Sequence, residues 1–532
     1  MDQSVCNGIS YSETGYFSQV VLDFLAEHPH IRSFYSYSPL KADVEALVQA
    51  KKAQPQQRGV LVQVLREQYA GLDIPAAVQQ HISLLEQPDT FTVCTAHQPN
   101  IFTGYLYFVY KILQTVQLAA DLQQQHPQYR FVPVYYMGSE DNDLEELGSI
   151  YLGGKTFTWS TSQQGAVGRM RPEGMDALIS QVEQQLGYGV YAEELVRLLR
   201  KAYLEHDNIQ QATLFLVNAL FGRYGLVVLI PDHPLLKKQL APIMKDELWH
   251  QTSHKLVSDT IQQLSQHYKV QANPREINLF YLTDRARERI VKEGEHWKVL
   301  HSTTTFTAAG LEQELQIHPE RFSPNVILRG LLQETILPNI AFIGGGGEIA
   351  YWLELQALFA HYRVPYPMLV LRNSFLLVDA VSKKRLQQLG LCIKHLFGNV
   401  DDVVNNFVRQ HTNASLVLKK EYDIIEQLFD GLEEKARSID ITLVASVAAE
   451  RKRVMKSIGK LEHKFLRAEK KKFAWQTAQI GELRQRLFPA GSLQERKENF
   501  MPWYIHEGPA FFDRILAHMQ PLTDELRIIY ER

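Results

Sequence analysis

The stretch Ile340-Ala341-Phe342-Ile343-Gly344-Gly345-Gly346-Gly347-Glu348-Ile349-Ala350-Tyr351-Trp352, preceded by Asn325-Val326-Ile327-Leu328-Arg329, decides the fold class. A short apolar run stops at four glycines, a carboxylate follows at once, and the apolar spacing then turns helical. This reads as strand, tight turn and helix N-terminus, the place where α/β proteins bind anionic or polar ligands. Glycines there let the backbone approach a ligand closely and adopt φ > 0. No Lys-Ser/Thr follows, so the run is not a P-loop, and it lacks the GxGxxG dinucleotide fingerprint. A plain turn between strand and helix accounts for the glycines equally well.

Outward from this point the same pattern recurs. Phe91–Thr95 is β-branched and apolar, a buried strand. His97-Gln98-Pro99-Asn100 is a turn, and Tyr105–Gln124 a helix with Leu106, Val109, Ile112, Leu113 and Val116 on one face. Phe131–Met137 is the next strand, which makes a right-handed βαβ unit. Strand patterns return at Leu226–Ile230, Ile340–Ile343 and Met368–Leu371, mostly ending on polar or glycine-rich loops. The expectation is an α/β doubly wound core over residues 1–381, with insertions near 148–205 and 240–320. Its N-terminal part is helical: Val44, Leu47 and Val48 share a face, as do Leu61, Val64 and Leu65, with Pro55 and Pro75 as breaks.

After Ser382 the composition shifts to Lys, Arg, Glu, Gln and Leu. Leu443, Val447, Glu450, Val454, Ile458, Leu461, Phe465 and Ala468 step by three and four, a coiled-coil seam. A helix over Tyr422–Arg437 pairs with it antiparallel, turning near Ser438–Thr442, so residues 382–489 read as an α-helical antiparallel coiled-coil arm. Between Glu450 and Lys472 stand ten Lys/Arg against three Glu, a solvated face or an RNA-backbone contact. Residues 490–532 read as a globular segment returning to the core.

The chain of 532 residues has net charge −3, so no global field draws it to nucleic acid or membrane. Three cysteines, Cys6, Cys94 and Cys392, are too few for a disulfide framework or a cysteine-based zinc site. No leader peptide and no membrane-spanning run is expected, and the reducing cytoplasm is the expected location.

Several residues can carry chemistry. Glu140, Asp141 and Asp143 place three acids in four positions, able to hold an amine, a sugar hydroxyl or Mg²⁺, or to cap the helix starting near Leu144. His97 follows the first core strand, where nucleotidyl-transferring folds use a His against phosphates, although a loop His is commonly structural. Arg329 and Arg372 lie in or after apolar runs, suited to a carboxylate or phosphate, or to an internal ion pair. Glu348 can cap its helix or take a proton as general base. Cys94 sits in a strand pattern and reads as buried and inert. No metal site is expected.

Thr95-Ala96-His97-Gln98-Pro99-Asn100-Ile101-Phe102-Thr103-Gly104, with Tyr107 and Lys111, resembles the first signature of the bacillithiol biosynthesis cysteine-adding enzymes. So do Gly138-Ser139-Glu140-Asp141-Asn142-Asp143, Ser323-Pro324-Asn325-Val326 with Arg329, the glycine run through Glu348, Tyr351 and Trp352, and Arg372-Asn373-Ser374. Leu487-Phe488-Pro489, Leu493-Gln494-Glu495-Arg496 and Asn499 are similar to the closing motif. Asn142 and Ala96 depart from the pattern, which often has His and Gly there. The resemblance implies a Rossmann-like core with connecting-peptide insertions, a coiled-coil arm, a homodimer, and a ligase that adds L-cysteine to the amine of glucosaminyl-malate in the last step of bacillithiol assembly.

The candidate catalytic residues are Asp141, Asp143, Glu348 and His97. The candidate substrate-binding residues are Gln98, Asn100, Thr103, Gly104, Glu140, Ser323, Asn325, Arg329, Gly345, Gly346, Tyr351 and Arg372. Amide formation from a free carboxylate is uphill and requires activation; the cofactor is left open, ATP being possible on chemical grounds although no strong ATP motif is present. The alternatives are another adenylate-forming or nucleotidyl-transferring Rossmann-like enzyme linked to RNA, and a non-enzymatic coiled-coil scaffold. Neither a membrane nor a nucleic-acid partner is expected under the main reading.

Overall fold

The computed structural model describes residues 7–38 and 44–531, so the expectation for Cys6 lies outside the described residues. Two compact units are present, one of residues 10–376 and 494–527, the other of 377–493 with 7–9 and 528–531.

The first unit is built on a five-stranded sheet. Its strands are β1 (Thr90–His97), β2 (Arg130–Met137), β3 (Val227–Leu229), β4 (Asn339–Gly344) and β5 (Met368–Leu371). They lie in the order β5-β4-β1-β2-β3, and every pairing is parallel. A parallel sheet is covered on both faces, which explains the near-continuous apolar runs. Every residue of β1, β4 and β5 is buried. The helix Leu106–Gln125 turns Leu118, Ala119 and Leu122 into a cluster with Phe91, Val93, Ile343 and Val370. Val44, Leu47 and Val48 join the same cluster from the helix Val44–Ala53. The chain leaves β1 toward β2 and β3 on one side and returns to β4 and β5 on the other. The switch in strand order falls between β1 and β4, where doubly wound folds open a crevice beyond the carboxyl ends.

The stretches expected as insertions hold regular structure of their own. Residues 148–205 hold the hairpin Ser149–Leu152 with Lys155–Thr158 and the helices Met175–Leu186 and Val190–Leu204. Residues 240–320 hold the helices Ala241–His250 and Thr252–Leu264 and most of an antiparallel five-stranded sheet, closed by Phe322–Pro324. Short two-sided strands separated by tight turns give a weak periodic signal, which explains why the sequence pattern missed them. The apolar run Val326–Leu328 belongs to a helix, Val326–Ile336, capped by the Asn325 side chain.

In the second unit the helices Lys419–Ile439 and Leu443–Lys472 form the expected antiparallel hairpin, turning at residues 440–442. Arg451 reaches Glu426, Asp430 and Glu433 across it. The seam is offset from the expected one: Leu466 is buried, whereas Leu443, Leu461 and Phe465 are 42%, 40% and 44% exposed. Among the described residues no helix is long and apolar enough to cross a membrane.

Candidate active site

A cavity of about 950 Å³ opens at the carboxyl ends of the parallel strands. Each strand contributes through the residues at or just after its end: His97 and Gln98 from β1, Gly138 to Asp141 from β2, Pro231 after β3, Gly345 to Gly347 from β4, and Arg372 from β5. The antiparallel sheet supplies Phe280, Arg287 and Pro324, and the helix Val326–Ile336 supplies Val326 and Arg329. The parallel sheet therefore forms the floor, and the 240–320 insertion and the residues after it form a wall.

The glycine run serves close approach rather than unusual backbone. None of Gly344 to Gly347 has positive φ. A Cβ at Gly344 would lie 3.0 Å from the Glu348 and Phe342 side chains, and one at Gly346 would lie 3.2 Å from Val21. Glu348 reaches back over its helix start, its Oε2 accepting from the Gly345 N–H at 2.9 Å. The same oxygen pairs with Lys111 Nζ at 2.5 Å, while Oε1 has no protein partner among the described residues. Lys111 also donates to the Ala96 carbonyl, and burial holds its ammonium below the usual lysine range, with Glu348 opposing that shift. His97 is buried, and its Nε2 has no partner among the described residues. Burial, then Lys111 and Arg372, push it well below the ordinary range, so it is neutral. The first N–H groups of a helix, here those of Gly346 and Gly347, have no acceptor within it. These donors and the unpartnered His97 nitrogen are of a kind that fits a phosphate-bearing group.

The acidic loop divides its labour. Asp141 lines the cavity and accepts from Gln98 Nε2 at 3.1 Å. Asp143 is exposed, lies outside the cavity lining, and caps the short helix Leu144–Leu147 by accepting from Glu146 N. Glu140 is buried against Lys237 and accepts from Ser323 Oγ at 2.9 Å. Burial raises its carboxyl, Lys237 opposes this, and Asp232 adds to it. Burial also pushes Asp232 upward, but the two-point bond from Arg169 and the nearby Lys237 outweigh that and hold it low. Asn142, at the position where the resemblance leads one to expect His, accepts from Arg287 at 3.4 Å.

The two arginines of the candidate set differ. Arg372 is neutralised by buried Glu495 at 2.6 Å, not by a loop acid. Arg329 has no carboxylate within ion-pair distance among the described residues. It donates to Gln333 Oε1 at 3.1 Å and Tyr351 Oη at 2.6 Å, and lies over the Tyr136 ring. Arg287, missed in the sequence, bonds only neutral groups among the described residues, those of Ser323, Pro324 and Asn142.

Gln98, Glu140, Asn325, Arg329, Gly345, Gly346, Tyr351 and Arg372 all line the cavity, with His97, Asp141 and Glu348. Asn100, Thr103, Gly104 and Ser323 do not. The first three form a strained turn beneath it, with φ of 51°, 69° and 67° at Phe102, Thr103 and Gly104. A Cβ on Gly104 would fall 2.8 Å from that of Asn100. Asn499 fixes the turn by donating to the Phe102 and Gly104 carbonyls. Glu495 likewise accepts from Arg372, Ser374 Oγ and Phe375 N. The closing motif thus holds the site's loops from behind. Arg287, Asp232, Lys237 and Arg169 were missed because their partners are far away in sequence and no local pattern marks them.

The family model described as bacillithiol biosynthesis BshC, N-terminal Rossmann-like domain, matches residues 5–373, and that of the BshC C-terminal coiled-coil domain matches 375–531. A Flavobacterium psychrophilum protein named "Putative cysteine ligase BshC" is 39% identical over 524 residues, 98% of each chain. Proteins of the same name from Christiangramia forsetii and Cytophaga hutchinsonii are 38% and 33% identical, again over 98% of each chain. None of the three is named as a nucleotidyl-transferring enzyme or a scaffold.

Proposed function

The chain belongs to the bacillithiol biosynthesis BshC family, and from that premise we propose that it is a carbon–nitrogen ligase of the cytoplasm. It joins the carboxylate of L-cysteine to the amine of glucosaminyl-malate, the closing step of bacillithiol assembly. The observation that carries this reading is the charge layout of the cavity. Arg329 offers a guanidinium with no carboxylate within ion-pair distance among the described residues, Arg287 is a second cation whose hydrogen bonds go to neutral groups, and Asp141 supplies an acidic contribution from the β2 loop. A substrate bearing two malate carboxylates and an amine complements that layout.

The bond forms between the amine nitrogen and the cysteine carbonyl carbon, and one carboxylate oxygen must leave. Bound ATP would supply the activation that this leaving oxygen requires. The N–H groups of Gly346 and Gly347 and the neutral His97 would hold its phosphates. The amine attacks in its neutral form, so a group must take its proton. Glu348 is our assignment, because it lines the cavity and its Oε1 has no protein partner among the described residues. Asp141 orients the amine together with Gln98.

The second proposal concerns assembly. Ile424, Leu428, Leu461 and Phe465 leave apolar surface on the arm, 65%, 60%, 40% and 44% exposed. We assign it to a homodimer contact. Removing residues 415–485 should then give a monomer by light scattering, and a full-length monomer at micromolar concentration refutes the assignment.

The decisive test of activity incubates the purified protein with L-cysteine, glucosaminyl-malate and ATP, following the product by mass spectrometry. Turnover that disappears without ATP and falls steeply in Arg329→Met supports the proposal. In a deletion strain, bacillithiol should vanish and glucosaminyl-malate accumulate; unchanged thiol content sinks the reading.

A further inference from the structure

Behind the cavity wall lies a polar network that none of the preceding steps uses. Gln333, Glu334 and Asn339 are fully buried, as is the side chain of Lys51. Lys51 Nζ pairs with Glu334 Oε2 at 2.8 Å. The other carboxylate oxygen, Oε1, accepts from Asn339 Nδ2 at 2.8 Å and from Gln333 Nε2 at 2.9 Å. Gln333 Oε1 then accepts from Arg329 Nη1 at 3.1 Å. Asn339 is tied to β1 through Thr92 Oγ1 at 3.2 Å.

The order of these contacts has a chemical logic. A carboxylate can only accept, so it fixes the Gln333 amide with its NH₂ end toward Glu334. The carbonyl end is left for the guanidinium, four residues earlier on the same helix face. Glu334 is thereby satisfied by Lys51, Asn339 and Gln333. A carboxylate placed directly against Arg329 would quench its charge, as Glu495 does for Arg372. The neutral amide holds the guanidinium in place and leaves that charge to the cavity.

We propose that Gln333 is a positioning residue for anion recognition: it aims Arg329 at a substrate carboxylate while insulating it from the buried Glu334–Lys51 pair. This rests on the reading of Arg329 as the anion-binding group. Gln333 does not line the cavity and acts only through Arg329.

The test is a double-mutant cycle on the full-length protein, read as glucosaminyl-malate affinity by calorimetry and as KM and kcat separately. Gln333→Met keeps the volume and removes both hydrogen bonds. It should weaken affinity and raise KM roughly tenfold, the effect of one charge-assisted hydrogen bond, with kcat changed less than twofold. In an Arg329→Met background the same change should alter affinity less than twofold, while the loss of the Glu334 contact still lowers the thermal midpoint. If Gln333→Met does not fold, Gln333→Asn, too short to span both partners, takes its place in the cycle. Equal losses in both backgrounds, or no loss in either, overturn the positioning role. Full affinity in Arg329→Met alone shows instead that the anion-binding reading itself has failed, and the inference falls with it.

Discussion

Glu348→Gln separates two tasks that one carboxylate performs at the turn after β4. Glu348 Oε2 accepts from the Gly345 N–H and from Lys111, and both contacts survive if the Gln carbonyl takes that position. The amide nitrogen then replaces Oε1. What is lost is the charge facing the buried Lys111 and the ability to take a proton. Removing one partner of a fully buried ion pair costs about 3–5 kcal/mol. Glu348 is 25% exposed and both hydrogen bonds persist, so the cost here is nearer about 1–3 kcal/mol, in line with a hydrogen bond to a charged group. Lys111, already below the usual lysine range through burial, responds by shedding its proton more readily. If Glu348 takes the amine proton, turnover falls by roughly 10²–10⁴. The assay is single-turnover amide formation at saturating substrates, with glucosaminyl-malate affinity and a urea midpoint measured alongside. We expect affinity within a fewfold of wild type and turnover down at least about 100-fold. Near-normal turnover would refute the reasoning, leaving Glu348 as a helix cap and counter-ion and moving the base to Asp141 or another cavity group.

Asp141→Asn should lower kcat/KM by about ten- to a hundredfold, one charge-assisted contact, with little change in folding. Asp143→Ala should cost only about 1 kcal/mol of stability as a lost cap and leave turnover within twofold, and the reverse ranking in kinetics would contradict the division seen in the loop. Cys94→Ser should retain turnover: the thiol is buried, burial pushes it well above its ordinary range, and it is not a cavity-lining residue. Abolished turnover in a folded Cys94→Ser protein would favour a thioester route. Glu354, which holds the Gln271 and Ala272 N–H groups, is raised by burial to about 7. A carboxyl raised on folding favours the protonated native state, so its contribution is full below the unfolded value of about 4.5 and is lost as pH rises toward 7. Urea midpoints from pH 5 to 8 should therefore fall more steeply in wild type than in Glu354→Gln, and parallel curves would refute the assignment.

The sequence alone determined the core. The strands β1 to β5 announced themselves because parallel strands are buried on both faces, so their residues are nearly continuously apolar or β-branched. The arm was equally plain, since a helix hairpin repeats its apolar residues every three or four positions. The loops that end the strands, and so His97, Asp141, Gly345, Glu348 and Arg372, were legible from position alone: doubly wound folds bind at carboxyl ends. Tertiary structure decided what each loop residue does. Whether Asp141 or Asp143 faces the cavity depends on where a four-residue helix begins, which spacing does not specify. Whether Arg329 or Arg372 carries free charge depends on Glu495, 123 residues from Arg372 along the chain, and on Gln333 standing in for a carboxylate. Asn100, Thr103 and Gly104 belong to a motif that looks like a binding loop, yet they form a strained turn held from behind by Asn499. Periodicity reports which face of an element avoids water. Pairing of charges and satisfaction of buried polar atoms are settled by neighbours distant in the chain, and these become visible only when the fold brings them together.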